Sequence, residues 1–484
     1  MSHPSRDKAC EVRMTSDRIG WVQRIGWASG DIGINFYWRM IGGFLYFFYT
    51  DLLGLSPVWA GIAFGIGSFW DGLFDPIVGA IADRTRTRYG RFRPYLLYLS
   101  LPCAISFILA FYKPPISGNW LILYAIVSHI IFRTLITTIS VTYGALSARM
   151  SVDSNERGTL AALRMIAAGL GSFAVGLMLP KLLASHSNPQ TAYLIATSLL
   201  GASATVILLI TFLTTRETIE PALDDHMPVV RTTSSVLRQI GRDMLNFWQV
   251  LLHNTPLRLL FIALVVSSIA ITMFDKIAIY WYKYDLRNIA VMAQTAPFVL
   301  VTFLVSIPIW TLISRKTSKR TVWLMGAFIG MAFYTSFYLL NPRDLNVIIA
   351  LSMLGATGGA AGYVMFWAML PDTVEYNEWK LGDRAEARIF GFAGLAQKSA
   401  LAINAIIVGL VFELIGFVPG RDQTPETLHG MLAVMCLVPV AGTIITMLAM
   451  WRYPLNARLH REIVEEIRRR AAPASKAGEH PLTA

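Results

Sequence analysis

The stretch VWAGIAFGIGSFWDGLFDPIVGAIA (58–82), followed by DRTRTRYGRFR (83–93), decides the fold class. The first part holds only two ionisable side chains, Asp71 and Asp75. As one helix rising 1.5 Å per residue it is long enough to cross about 30 Å of hydrocarbon. It then stops at a loop carrying Arg84, Arg86, Arg88, Arg91 and Arg93. An apolar run that ends in concentrated positive charge reads as a membrane span leaving the bilayer on its cytoplasmic face.

Outward from this stretch the pattern repeats. Further spans are expected near Trp27–Thr50, Pro94–Tyr112, Trp120–Ala148, Thr159–Leu183 and Thr191–Thr214. A second set is expected near Leu257–Lys283, Ile289–Ile313, Thr321–Leu340, Val347–Leu370, Arg388–Val418 and Leu428–Trp451. Twelve spans of about 20 residues need about 240, close to the 55% of 484 residues that are apolar. The charged fraction is 15%, against about 25% in soluble domains. The expectation is an all-α polytopic membrane protein of about twelve transmembrane helices in two sets of six. Its parts are a cytoplasmic segment (1–26), a six-helix bundle (27–214), a polar linker (215–256), a second six-helix bundle (257–451) and a basic tail (452–484). Linker and tail can be mobile, and the sequence shows no further folded domain.

The charge balance tests this reading independently. Asp51–Pro57 and Ala184–Gln190 hold no Lys or Arg, whereas Ser314–Arg320 holds Arg315, Lys316, Lys319 and Arg320. Such asymmetry places both termini in the cytoplasm of a cell whose inner membrane holds the chain, with the lipid bilayer as its surroundings. It also explains the net charge of +12 without nucleic acid as a partner. Cys10, Cys103 and Cys436 are too scattered for a disulfide framework or a metal cluster. No phosphate-binding G-x-x-x-x-G-K-[ST] loop, H-E-x-x-H, C-x-x-C or G-x-S-x-G occurs, which argues against ATP hydrolysis and against a membrane enzyme. No cofactor is expected.

Ionisable residues at membrane depth are costly and mark function by default. Asp71 and Asp75 stand four apart, on one face of a helix. Two carboxylates that close in a low dielectric need a cation or a shared proton between them, and Na⁺ or H⁺ would serve. The competing outcome is ion pairing with arginines of other helices. Asp31, Asn35 and Arg39 follow in steps of four along one stripe of the first span. Arg164 lies in the fifth span, Asp275 and Lys276 in the seventh, and Lys398 in the eleventh. Lys398 needs a carboxylate partner, which Asp71 and Asp75 or the nearby Glu413 can supply. The arginine-dense loop repels itself unless paired, so Arg84, Arg91 and Arg93 are expected to brace the inner ends of helices and gate them. Asp83 and Asp372 are the expected partners.

The motifs WD…DP…G…DRT…GRFRP (70–94), TYGAL (142–146) with Asp153, Glu156, Arg157 and Arg164, and PDTVEYNEWKLGDRAE (371–386) with Gln397 and Lys398 carry a resemblance. They resemble the glycoside–pentoside–hexuronide:cation symporters, the sodium:galactoside group of the major facilitator superfamily. The resemblance covers every span from Trp27 to Trp451. It implies the major facilitator fold of two six-helix bundles and alternating access. It also implies that Asp71 and Asp75 carry the coupling cation (as metal ligands, if that cation is Na⁺), joined by Thr137 and Lys398. Asp31 and Arg164 match the sugar-binding positions. Galactoside carriers of the group have an aspartate and a tryptophan where Ser140 and Gly144 stand, and an arginine where Ser68 stands. A different solute is implied, with Ser140 and Asn35 beside it.

The expected function is secondary active symport of a small-molecule solute, a sugar or glycoside, with Na⁺ or H⁺. A cation-coupled carrier of lysophospholipid or another amphiphile is the alternative within transport. A membrane-embedded enzyme or a sensor without transport is the alternative outside it.

Overall fold

The computed structural model describes residues 20–150, 154–217, 248–382 and 385–471. Among these, regular structure is helical apart from a single bridge between Thr87 and Gly90. Twelve long helices follow one another: α1 (Trp21–Met40), α2 (Pro57–Arg84), α3 (Arg93–Ala110), α4 (Asn119–Met150), α5 (Ser154–Ser185), α6 (Pro189–Thr214), α7 (Thr255–Tyr280), α8 (Ala290–Lys316), α9 (Lys319–Leu340), α10 (Leu345–Leu381), α11 (Glu386–Leu414) and α12 (Pro425–Trp451). A thirteenth, α13 (Ala457–Ala471), ends the described chain. Ten of them, α3 to α12, are long and apolar enough to cross a membrane by length and composition. The two outside that set, α1 and α2, are those that carry Asp31 and Arg39, and Asp71 and Asp75. Large apolar side chains such as Leu101, Ile105, Val301, Leu312 and Leu448 are exposed along the spans, as surfaces that meet lipid must be.

Helix ends follow from local chemistry. Asn188, Asn254, Ser318, Asp344 and Thr424 each accept a backbone N–H of the first turn they precede, meeting donors that a helix start leaves unpaired. Gly382, at φ +71°, closes α10 in the left-handed conformation that glycine adopts without strain. α10 runs through Pro371 to Leu381, so the PDTVEYNEWK motif is part of this helix.

The two sets of six carry a repeat in their first members. YFFYTDL (46–52) after α1 corresponds to YWYKYDL (280–286) after α7. Both adopt π-helical turns, at Phe48–Leu52 and Trp281–Asp285. The Asp51 carboxylate accepts from Lys283 Nζ at 2.5 Å and from the Tyr284 hydroxyl, which in turn accepts from Gly420 N at 3.1 Å.

Two compact units emerge, and they do not follow the halves residue by residue. The first comprises the described residues up to 217 with Tyr282–Ala296 and Ala405–Gln423. The second comprises 248–281, Pro297–Asn404 and the described residues from Thr424 onward. The linker 215–256 lies largely outside the described residues, as do most of segment 1–26 and the end of the tail. Up to Ala471 the tail is helical and lies against the second unit's own helices. α13 is stapled by Arg458–Glu462 and Arg470–Glu466 pairs one turn apart and buries Ile463. It docks on α10, where Trp379 Nε1 donates to Glu466 at 2.9 Å and Arg470 donates to the Trp379 carbonyl at 2.9 Å.

Candidate functional site

α2 and α4 build the first half of the site. Ser68, Asp71 and Asp75 occupy one face of α2, and His129, Arg133 and Thr137 stand at four-residue steps on one face of α4. The helices approach because position 67 is glycine: a Cβ there would lie 2.2 Å from His129 Nδ1. Asp71 is buried and accepts a hydrogen bond from the Thr137 hydroxyl. Its Oδ2 lies 3.6 Å from Arg133 Nη1, and both side chains are 1% exposed. Arg133 is held on every side. Its Nε donates to His129 Nε2 at 3.1 Å, its Nη2 to Ser68 Oγ at 3.4 Å, and its guanidinium lies 4.8 Å over the Trp38 ring. A guanidinium has donors only, so His129 Nε2 accepts and its ring proton sits on Nδ1, 3.4 Å from the Ala63 carbonyl. Asp75, one turn on, is half-buried. For Asp71, ion pairing with an arginine of another helix is therefore what the structure shows.

The second half joins α1, α4 and α5. Arg164 Nε donates to Asp31 Oδ2 at 2.6 Å, with side-chain exposures of 44% and 4%. The guanidinium stands 5.5 Å over the Tyr143 ring, and that ring stacks on Trp27 at 5.1 Å. The Tyr143 hydroxyl donates to the Trp27 carbonyl at 2.8 Å. Asn35 Nδ2 donates to the Asp31 carbonyl at 2.8 Å and fixes the stripe. Gly30 and Gly171 make this possible: a Cβ at Gly30 would lie 2.6 Å from the Tyr143 ring, and one at Gly171 2.6 Å from the Ile32 carbonyl. Ser140, on α4 between Thr137 and Tyr143, keeps its Oγ buried without a hydrogen-bond partner. An arginine carried half-exposed at membrane depth faces water or solute, because lipid offers its donors nothing.

The other expected residues are placed as follows. Lys398 is half-buried on α11, in the second unit. Asp372, expected to meet the arginine loop, is held on α10 by Lys319 Nζ at 2.9 and 2.7 Å. His460 of α13 lies 3.7 Å from the same carboxylate and pairs with Glu375. The side chains of Asp83 and Arg84 lie outside the described residues, as does Asp153. Arg91 and Arg93 serve a clasp within their own unit. Backbone N–H groups of Arg91, Phe92 and Arg93 donate to the Glu217 carboxylate at 2.9, 2.7 and 3.1 Å. Arg93 Nη2 adds a bond to the Phe212 carbonyl at 2.7 Å. Gly90, at φ +105°, is required there, since a Cβ would lie 2.6 Å from Glu217.

Sequence reasoning missed Arg133, His129 and Glu217. The signal for Arg133 was present: it interrupts the apolar run HIIFRTLITT (129–138) and carries the same burial cost that singled out Arg164. Glu217 had none, since a carboxylate after a span reads as ordinary loop polarity.

A family model described as MFS/sugar transport protein matches residues 26–457. Over 459 residues the chain is 28% identical to the uncharacterized symporter YnaJ of Bacillus subtilis, covering 94% of this chain and 96% of that one. It is 26% identical over 465 residues to the glucuronide carrier protein homolog of Escherichia coli, covering 93% and 96%. The crystal structure of a D-xylose–proton symporter superposes with a TM-score of 0.61 at 15% identity, covering 90% of this chain and 98% of that one. That last likeness is one of fold.

Proposed function

Since the chain belongs to the MFS/sugar transport protein family, we propose that it moves a sugar or glycoside inward with a monovalent cation, by alternating access, through the polar row of its first unit. Asp71 and Asp75, with Thr137, carry the cation. Asp31 and Arg164, with Asn35, Ser140 and Tyr143, carry the solute. One observation carries this reading: α4 supplies Thr137 to the buried carboxylate of α2 and Tyr143 to the half-exposed pair of α1 and α5. A single rigid helix thereby links cation and solute. Coupling needs only that both favour the same arrangement, and by reciprocity each tightens the other by the same factor, commonly about 5–150-fold.

The basic loops support an inner-membrane orientation with both termini cytoplasmic. On that side the Gly90–Arg93 clasp on Glu217 and the Lys319–Asp372 pair hold helix ends.

Two substitutions test the assignment in sealed vesicles, against a panel of glycosides, pentosides and uronides. Asp75→Asn abolishes accumulation driven by a cation gradient and leaves solute exchange. Asp31→Asn removes solute affinity and leaves cation binding. Normal accumulation by Asp75→Asn under an imposed gradient would make the carboxylate pair structural and sink the assignment.

A further inference from the structure

α1 carries two arginines, and among the described residues only one of them is paired. Arg24, in the first turn, donates to Glu156 of α5 at 2.6 Å. Arg39 is half-buried, and among the described residues its guanidinium makes no ion pair, hydrogen bond or ring contact. It stands near the middle of the expected span Trp27–Thr50, with about 17 Å of helix to either end. That is too far for the side chain to snorkel to the bilayer surface. Lipid offers its five donors nothing, so a charge kept there faces the polar path that solute and water share. The surroundings say what the charge is for. Asp31, Asn35 and Arg39 form one stripe of α1, about 12 Å long. α5 runs beside it: Arg164 Nε donates to Asp31 at 2.6 Å, and Ser172 Oγ donates to Asn35 Oδ1 at 3.5 Å. One end of the row is a closed pair, the middle an amide and a hydroxyl, and the far end a lone cation. Space is kept open at that far end. A Cβ at Gly42 would meet nothing within 4 Å, and one at Gly43 only Arg39 Nε at 4.0 Å.

We propose that Arg39 is the specificity-determining residue of the solute site: it selects sugars that carry one carboxylate, with the ring hydroxyls lying along Asn35 and the Asp31–Arg164 pair. Formal charge along the row argues for this. Asp31 cancels Arg164, and the charge of Arg39 is left over. A neutral sugar would leave that charge uncompensated in a low dielectric. A single carboxylate cancels it and takes two parallel hydrogen bonds from the guanidinium fork. An arginine keeps its charge at every working pH, so the preference is built in. The proposal deepens, and rests on, the assignment of the solute to the row that begins at Asp31 and Arg164.

The test uses the full-length carrier in detergent and pairs of solutes that differ only in a carboxylate against a hydroxymethyl group. Phenyl glucuronide is paired with phenyl glucoside, and phenyl galacturonide with phenyl galactoside. Affinities are read by calorimetric titration at constant ionic strength. In at least one pair wild type is expected to bind the acid at least about tenfold more tightly than its neutral partner, the worth of a charged hydrogen bond. Arg39→Gln is expected to bring that ratio to within about twofold of one. Arg39→Lys is expected to keep part of it, since the charge stays and the fork is lost. The unfolding temperature of Arg39→Gln should not fall, because no bond is lost and a costly charge leaves the membrane interior. A neutral partner preferred in every pair, or a ratio that Arg39→Gln leaves as in wild type, overturns the proposal. So does an Arg39→Gln carrier that melts early or fails to fold, since the guanidinium would then be structural. Failure of the underlying assignment shows separately: Asp31→Asn would then bind both members of each pair as wild type does, whatever the ratio in Arg39→Gln.

Discussion

Two arginine–aspartate pairs that involve α1, α2, α4 and α5, Arg133–Asp71 and Arg164–Asp31, differ mainly in who else can reach them. Arg133 and Asp71 are both 1% exposed. Arg164 is 44% exposed while its partner Asp31 is 4% exposed. The first arginine is pinned by a histidine, a serine and a tryptophan. The second donates to Asp31 and stands over one ring, that of Tyr143. Identical chemistry therefore supports two jobs. A sealed pair sets the charge of its surroundings, whereas an open pair keeps donors that a solute hydroxyl or carboxylate can use.

The largest effect expected from this contrast is on stability. Arg133→Met strands Asp71 in an apolar interior, and breaking a buried pair by removing one partner costs about 3–5 kcal/mol. Adding Asp71→Leu to it should recover most of that loss, since a well-packed apolar pair replaces a buried ion pair at little cost. Arg164→Met also deprives Asp31 of a charged hydrogen bond, but water reaches that side, and about 1–3 kcal/mol is expected. Thermal unfolding in detergent ranks the three variants. Equal losses from Arg133→Met and Arg164→Met would break the distinction between sealed and open.

Packing around the two pairs sharpens it further. Gly67→Ala would place a Cβ 2.2 Å from His129 Nδ1, and that ring is fully buried and holds Arg133. The ring must move, and overpacking of this kind costs about 1–3 kcal/mol. Gly144→Ala, beside Tyr143 on α4, meets nothing within 4 Å. Removing a glycine from a helix interior is worth about 0.5–1 kcal/mol, so the same substitution should stabilise there. Paired melting curves check the opposite signs. Destabilisation by Gly144→Ala would mean that the open pair is packed as tightly as the sealed one.

Much of the architecture is legible in the sequence. Twelve long helices stand where twelve spans are expected, ten of them long and apolar enough to cross a membrane. Most bounds agree within a few residues because a hydrocarbon slab imposes one length and one composition on every crossing, while α10 runs eleven residues past the expected end. Asp31, Arg164, Asp71 and Thr137 were named, and the structure brings them together as Asp31 with Arg164 and Asp71 with Thr137. Partner identity was less legible. Asp372 is matched to the arginines on its charge and its place at an inner helix end, yet Lys319 at the start of α9 holds it. Which of several cations reaches a carboxylate depends on helix rotation and tilt, and one-dimensional sequence carries neither. Arg133 shows a different failure. Its burial cost was as visible as that of Arg164, but no motif drew attention to it. The docking of α13 is hidden in the sequence because a charged helix reads as a soluble tail, and only packing reveals that Ile463 is buried.

The smallest effect expected belongs to Ser140, and it separates fold from function. Its Oγ is buried without a hydrogen-bond partner, between Thr137 of the sealed site and Tyr143 of the open one. A buried hydroxyl left unsatisfied costs stability, about 1–3 kcal/mol by comparison with a satisfied one. Ser140→Ala should therefore leave the unfolding temperature unchanged or raise it slightly, because no bond is lost and one orphaned group is removed. If that hydroxyl is kept for the solute, the same variant should weaken solute binding by about fivefold to tenfold, the worth of one hydrogen bond. The apparent KM for uptake should then rise with little change in maximal rate. A variant that is both less stable and unchanged in KM would assign Ser140 to the packing of α4 and confine the solute contacts to Asp31, Arg164 and their aromatic neighbours.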